Sequence, residues 1–211
     1  MLPKKQLAIV LSQLNSNPNP SPDLEQYEIP GELAAEIINL ASVSGDIKGK
    51  TILDLGCGTG RLAIGSALLE AKKVIGLDID KDVLETAKEN VKIAEQLTEK
   101  KVKNKIQLVY SDVKDYIGQV DTVIQNPPFG IQKEHADRIF LEKALECGNV
   151  IYSLHRSYSK SRVFLTKYIE KHGWKVENII KYNFRLPHTF KFHKKLAVSF
   201  DVDLYVIRKK V

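Results

Sequence analysis

From residue 51 onward, short β-branched and apolar runs alternate with segments of helical periodicity, and few folds accept that rhythm. The strands fall at 51–55, 73–78, 106–109, 120–125 and 149–153, and the helices at 60–69, 81–97, 134–147 and 159–172. Strands joined through helices lie parallel, and a parallel sheet must be covered on both faces. The last two strands, near 174–182 and 196–207, have no helix between them and should form an antiparallel hairpin at one edge. The expectation is an α/β domain with a seven-stranded, mostly parallel, Rossmann-like sheet and helices on both faces.

Ahead of this unit lies a short amphipathic helix around Leu2 to Leu11, then a breaker-rich stretch from Asn15 to Pro22 that should be an extended linker. Residues 1–22 are therefore expected as an appendage to a domain spanning 23–211. Pro30 fits the first turn of a further helix whose core positions are Leu33, Ala34, Ile37, Ile38 and Ala41. The 211 residues suit one domain, and a hydrophobic fraction of 43% can fill its core without disulfides. Cys57 and Cys147 show no paired spacing, which points to a reducing, cytoplasmic compartment and away from a structural zinc site. No stretch approaches the roughly 20 apolar residues of a membrane span, and no cleavage pattern follows the first apolar run, so a soluble protein is expected. The net charge of +6 suits a polyanionic partner. Lys100, Lys101, Lys103 and Lys105 read equally well as a solvated connector or as phosphate contacts.

Thr51 to Leu55 runs into Gly56-Cys57-Gly58-Thr59-Gly60 and then a helix near Arg61. Glycines admit positive φ and let a ligand lie against the main chain, so Gly56, Gly58 and Gly60 suit a nucleotide-like cofactor. Arg61 stands where a dinucleotide loop needs its third glycine, and Asp54 would repel a pyrophosphate. The same carboxylate suits the sulfonium and ammonium of S-adenosylmethionine. Asp78, ending the next strand, should hold the ribose hydroxyls, while Asp80 reads as a helix N-cap. Asp112 and Val113 offer a carboxylate for the adenine amino group and an apolar neighbour for its ring, or else a simple turn cap. Gln26 and Tyr27 sit where a linker could fold over the cofactor, or could merely pack.

Asn126-Pro127-Pro128-Phe129 follows the run Asp121 to Gln125. An exocyclic amino group on an aromatic ring has a delocalised lone pair, so an enzyme that methylates it must accept its hydrogens and pull the nitrogen toward tetrahedral geometry. Asn126 and the Pro127 carbonyl can supply both acceptors. Pro127 and Pro128 lock the backbone and remove competing N–H donors, and Phe129 can stack on a planar base. Read alone, the tetrapeptide could be a rigid turn; the glycine loop makes it a methylation site. No metal is called for, since a sulfonium already carries an activated leaving group.

The segment Lys181 to Lys195 interleaves cations with aromatics, a mixture suited to single-stranded RNA. Lys181, Arg185, Lys191, His193, Lys194 and Lys195 would meet phosphates while Phe190 and Phe192 stack on bases. The bland alternative is a solvated basic hairpin with its aromatics turned inward. His155, just past another strand end, could line the base pocket but suits a structural hydrogen bond better.

With Asp54 to Gly60, Asp78 and Asn126 to Phe129, the chain resembles a class I S-adenosylmethionine-dependent methyltransferase of the amino-methylating branch. Leu24-Glu25-Gln26-Tyr27, Gly130, Tyr152-Ser153-Leu154-His155 and Phe190 to Lys195 make it similar to the methyltransferase-like protein five family, adenine N6 methyltransferases of small-subunit ribosomal RNA. That resemblance implies that Gln26, Tyr27, Asp54, Gly56, Asp78, Asp112 and Val113 line the cofactor site and that Asn126 to Phe129 receive a flipped adenine. It also implies a small zinc-binding activator protein on an exposed sheet edge, near which Val74, Ile75 and Leu77 are placed. The rivals are glutamine methylation on a release factor, a branch that usually carries Tyr where this chain has Phe129, a non-catalytic RNA-binding or assembly factor, and, distantly, a dehydrogenase.

Overall fold

The computed structural model describes residues 2–21, 23–129, 136–187 and 197–210. Helices α1 (Lys4–Ser12) and α2 (Gly31–Val43) precede β1 (Thr51–Leu55), α3 (Arg61–Leu68), β2 (Lys73–Asp78), α4 (Lys81–Thr98) and β3 (Ile106–Tyr110). After them come β4 (Thr122–Gln125), α5 (Ala136–Cys147), β5 (Val150–Arg156), α6 (Ser159–Lys171), β6 (Trp174–Pro187) and β7 (Ala197–Lys209). The seven strands form one sheet in the order β3-β2-β1-β4-β5-β7-β6. The first five are parallel, and β7 runs antiparallel to both β5 and β6. The expected architecture is thus the observed one.

Side chains alternate across each strand, so the sheet feeds two apolar layers. Ile52, Val74, Tyr152 and Leu154 pack beneath α1, α2 and α3, whereas Leu53, Leu55, Leu77, Val123 and Ile151 pack against Leu141 of α5 and Leu165 and Ile169 of α6. The N-terminal helix belongs to the first layer. Leu7 and Leu11 are fully buried there with Ile38 and Ile64, so the core runs through the boundary expected at residue 22. A helix this short is marginal alone and gains its stability by burying its apolar stripe. Gly31 permits the contact, because a Cβ there would lie 2.4 Å from the Ser12 nitrogen.

The hairpin strands are longer than their composition suggests, reaching Pro187 and starting again at Ala197. Beyond an irregularity between Val176 and Asn178, Ile180, Tyr182 and Phe184 face the first layer, and Phe184 is fully buried. Cations between them made this stretch read as loop, but period-two alternation is what a half-buried strand needs. Strand β2 lies one place in from the edge, with Val74 and Leu77 in the core; the edge itself is β3. The lysines from 100 to 105 precede β3, at the end of the sheet away from the glycine loop, where the Glu95 carboxylate accepts the Val102 and Lys103 N–H groups. They form a capped connector. Among the described residues no helix is long and apolar enough to cross a membrane.

If α1 is part of the core, Leu11→Ala should cost about 2–5 kcal/mol, read as a lowered urea midpoint. An unchanged midpoint would mean that the helix contributes nothing to the fold.

Candidate active site

The chain leaves β1 toward β2 and β3 on one side and returns to β4 and β5 on the other, so the loops after β1 and β4 diverge. Crevices at such reversals, outside the carboxyl ends of the strands, are where open α/β sheets bind ligands. A cavity of about 280 Å³ lies there. Its floor is Gly56 and Gly58, its sides are Asp78, Asp112 and Val113 on one flank and Asn126 and Pro128 on the other, and Phe140 of α5 adds an apolar wall. Residues 23–29 close it from above, with Gln26 and Tyr27 among its lining.

Eight of the anticipated cofactor residues therefore converge: Gln26, Tyr27, Gly56, Gly58, Asp78, Asp112, Val113 and Asn126. Gly58 has φ +53° with open space where a Cβ would stand, so bare backbone faces the cavity. The Asp78 carboxylate accepts the Gly58 N–H at 2.8 Å and the Asp80 N–H at 3.0 Å, and burial raises its pKa. Asp80 does cap α4, accepting the Asp82 N–H at 2.9 Å. Asp112 caps a short 3-10 turn through the Lys114 N–H, so its turn-capping and cavity-lining readings coexist. Asp54 and Gly60 do not line the cavity. Gly60 has φ +84° and packs toward Ala87 of α4. Asp54 lies behind the loop, where one oxygen accepts the Ala63 N–H at 2.9 Å and Oδ1 is buried with no partner among the described residues. Burial pushes its pKa up to about 8, only partly offset by that hydrogen bond.

The segment over the cavity is held by contacts that no local sequence pattern encodes. The Arg61 guanidinium, 7% exposed, pairs with Glu28 at 2.6 Å and donates to the carbonyls of Leu11, Leu14 and Ile29. Thr59 donates to the other Glu28 oxygen at 2.6 Å. Asn90 of α4 binds both the N–H and carbonyl of Asn15 and the carbonyl of Thr59. Gln26 accepts from Asn17 and Ser21 and donates to Asp80 at 2.7 Å. The available signal was Arg61 itself, a cation opening the apolar run Leu62-Ala63-Ile64 and so in need of a buried partner.

Asn126 follows β4 and donates its amide N–H to the Tyr27 carbonyl at 2.9 Å, while its Oδ1 is buried without a partner among the described residues. Pro127 is buried. The Phe129 ring stacks near Tyr27, with centroids 6.3 Å apart, and meets Phe184 and Phe200 edge-on at 5.7 and 5.3 Å. Behind β4, Gln125 donates to Ser153, which bonds His155 at 2.8 Å, and His155 reaches Asp137 at 3.4 Å. His155 is 2% exposed, a satisfied structural histidine.

Of the anticipated RNA contacts, Lys181 lies within β6 and pairs with Asp201 at 2.6 Å. Arg185 is placed only as backbone in β6, opposite Ser199. Gly130 and Phe190, Lys191, Phe192, His193, Lys194 and Lys195 lie outside the described residues.

Residues 37–153 match the family model of ribosomal protein L11 methyltransferase (PrmA). The chain is 35% identical to the rRNA N(6)-adenosine-methyltransferase METTL5 of Danio rerio, over 94% of this chain and 95% of that one. Its structure superposes on the crystal structure of a candidate RNA methyltransferase from Pyrococcus horikoshii with a TM-score of 0.91 at 41% identity, covering 100% of both chains. Magnesium protoporphyrin IX methyltransferase of Synechocystis, solved with bound S-adenosylmethionine, shares the fold at 17% identity and a TM-score of 0.65, over 85% of this chain and 79% of that one.

Asp54 gives the site a pH signature. A carboxyl raised in the fold from 3.8 to about 8 favours the native state while protonated; that contribution is complete below about 4 and is lost as pH rises toward 8. Asp54→Asn, neutral throughout, should remove this loss, so the cofactor-free variant's urea midpoint should gain on the wild type across that window. Parallel pH profiles would show that the carboxyl is ionised at no cost.

Proposed function

The chain belongs to the rRNA N(6)-adenosine-methyltransferase family of METTL5, and we propose from that membership that it methylates the N6 amino group of an adenosine in small-subunit ribosomal RNA. One observation supports this above the others. With its N–H given to the Tyr27 carbonyl, Asn126 keeps a buried acceptor oxygen, Oδ1, that finds no partner among the described residues. A buried orphan acceptor is costly unless a ligand completes it, and an adenine amino group would do so.

Asn126 Oδ1 and the Pro127 carbonyl would accept the two amino hydrogens, draining charge toward the nitrogen lone pair. The prolines offer no N–H that could compete. The base must leave its stack to reach this depth, and Phe129, braced by Tyr27, Phe184 and Phe200, would support its ring. No side chain need take the proton first, because the methylated nitrogen is acidic enough to release it to water.

The cavity fits S-adenosylmethionine. Asp78, oriented by two backbone N–H groups, would take the ribose hydroxyls, Asp112 and Val113 the adenine, and bare backbone at Gly56 and Gly58 the rest of the chain. Gln26 and Tyr27 would cover it. When bound, the cofactor supplies a methyl group on a positively charged sulfur. The orphan Oδ1 of Asp54 lies where a nearby cation would favour the ionised carboxyl.

Lys191, His193, Lys194 and Lys195 would meet phosphates and Phe190 and Phe192 bases, with Lys181 and Arg185 along the hairpin. A zinc-binding activator, if this chain uses one, would sit on edge strand β3, where Tyr110 is 55% exposed. The unpaired cysteines suit the cytoplasm. The match of residues 37–153 to the L11 methyltransferase model favours a second reading, methylation of a ribosomal protein.

Incubating small ribosomal subunits with labelled cofactor separates the two, because mass spectrometry should find the label as N6-methyladenosine, and label in protein would overturn the RNA reading. Asn126→Ala should lower that methylation by about 100-fold or more while S-adenosylhomocysteine still binds. Full activity in this variant would refute the role given to Asn126.

A further inference from the structure

A second set of cations and rings lies outside both the cavity and the hairpin. Arg156 ends β5, Tyr158 caps the start of α6, and Phe164 stands about a turn and a half along that helix. Tyr158 and Phe164 are 51% and 43% exposed, although each could bury a large apolar surface. Each lies under a guanidinium. Arg156 sits 5.1 Å from the Tyr158 ring, and Arg138 of α5 sits 4.6 Å from the Phe164 ring. Among the described residues, Asp137 pairs with His155 and Asp203 with Arg162, while Glu142 accepts from the Tyr168 hydroxyl. Lys160 and Lys167 are exposed on α6 itself.

The set is continuous with the candidate active site. Phe200 touches Phe129 edge-on at 5.3 Å, and Arg156 lies 5.2 Å from Phe200 while it also covers Tyr158. A line of rings and guanidinium planes thus leads from the Asn-Pro-Pro-Phe segment to the outer surface of α6. Exposed aromatic rings set beside guanidinium planes, with Lys160 and Lys167 on the same helix, suit single-stranded RNA better than an apolar or acidic protein face.

We infer that the RNA strand flanking the target adenosine crosses the start of α6, stacking bases on Tyr158 and Phe164 and placing phosphates near Arg138, Arg156 and Lys160. This rests on the RNA reading above and extends it to a surface on the far side of β5 from the glycine loop. The strand would enter through α6 and deliver one flipped base to Asn126, so affinity for RNA and chemistry at the base would be carried by different residues.

The test uses the full chain and a labelled single-stranded RNA of roughly 20 nucleotides. Tyr158→Ala and Phe164→Ala should each weaken RNA binding roughly tenfold, with melting temperature and S-adenosylhomocysteine affinity unchanged. Arg138→Gln should lower the slope of log affinity against log salt by about 0.7. Wild-type RNA affinity and salt slope in all three variants, with the wild type methylating RNA, would overturn this surface alone. A wild type that methylates a ribosomal protein and binds no RNA would overturn it together with the reading beneath it.

Discussion

The buried guanidinium of Arg61 is the constraint from which the site's geometry follows. A cation at 7% exposure is tolerated only when its hydrogen bonds are completed, and leaving one partner of such a pair alone costs about 3–5 kcal/mol. Glu28 supplies the countercharge, and the carbonyls of Leu11, Leu14 and Ile29 complete the fork. Those partners come from the end of α1 and from the segment over the cavity. Satisfying one side chain therefore pins Leu11, Leu14, Glu28 and Ile29 across the glycine loop. Tyr27 adjoins Glu28, and its carbonyl in turn orients Asn126. A charge at the start of α3 thus reaches the amide at the end of β4.

The sheet supplies the rest by topology. Parallel strands point their carboxyl ends the same way, so the ends of β1, β2, β3 and β4 each deliver one element to one crevice: glycine backbone, Asp78, Asp112 and Asn126. The reversal between β1 and β4 opens the space between them. Asp54 shows the limit of that rule. It sits on β1 but points behind the loop, where burial holds its pKa near 8 and its Oδ1 finds no partner among the described residues.

Patterns that depend on neighbours along the chain were legible in the sequence. Strand and helix alternation specified the sheet, and the order of glycines and acids specified the crevice, because both are local consequences of the backbone. Burial across the chain was not. The α1 stripe reads as an appendage until α2 approaches it at Gly31, and Tyr182 and Phe184 read as part of a basic loop until pairing with β7 turns them inward. Arg61 was visible only as a missing glycine.

By itself, then, the sequence determined the fold class and the residues that converge on the cavity, since hydrophobic period and loop chemistry act over a few residues. Tertiary structure alone decided which of them face the cavity. Asn126 becomes an orphan acceptor only because Tyr27, 99 positions away, takes its donor, and Asp54 is withdrawn because α3 packs over it. Hydrogen-bond satisfaction is a property of the whole packed interior, and no local pattern encodes it.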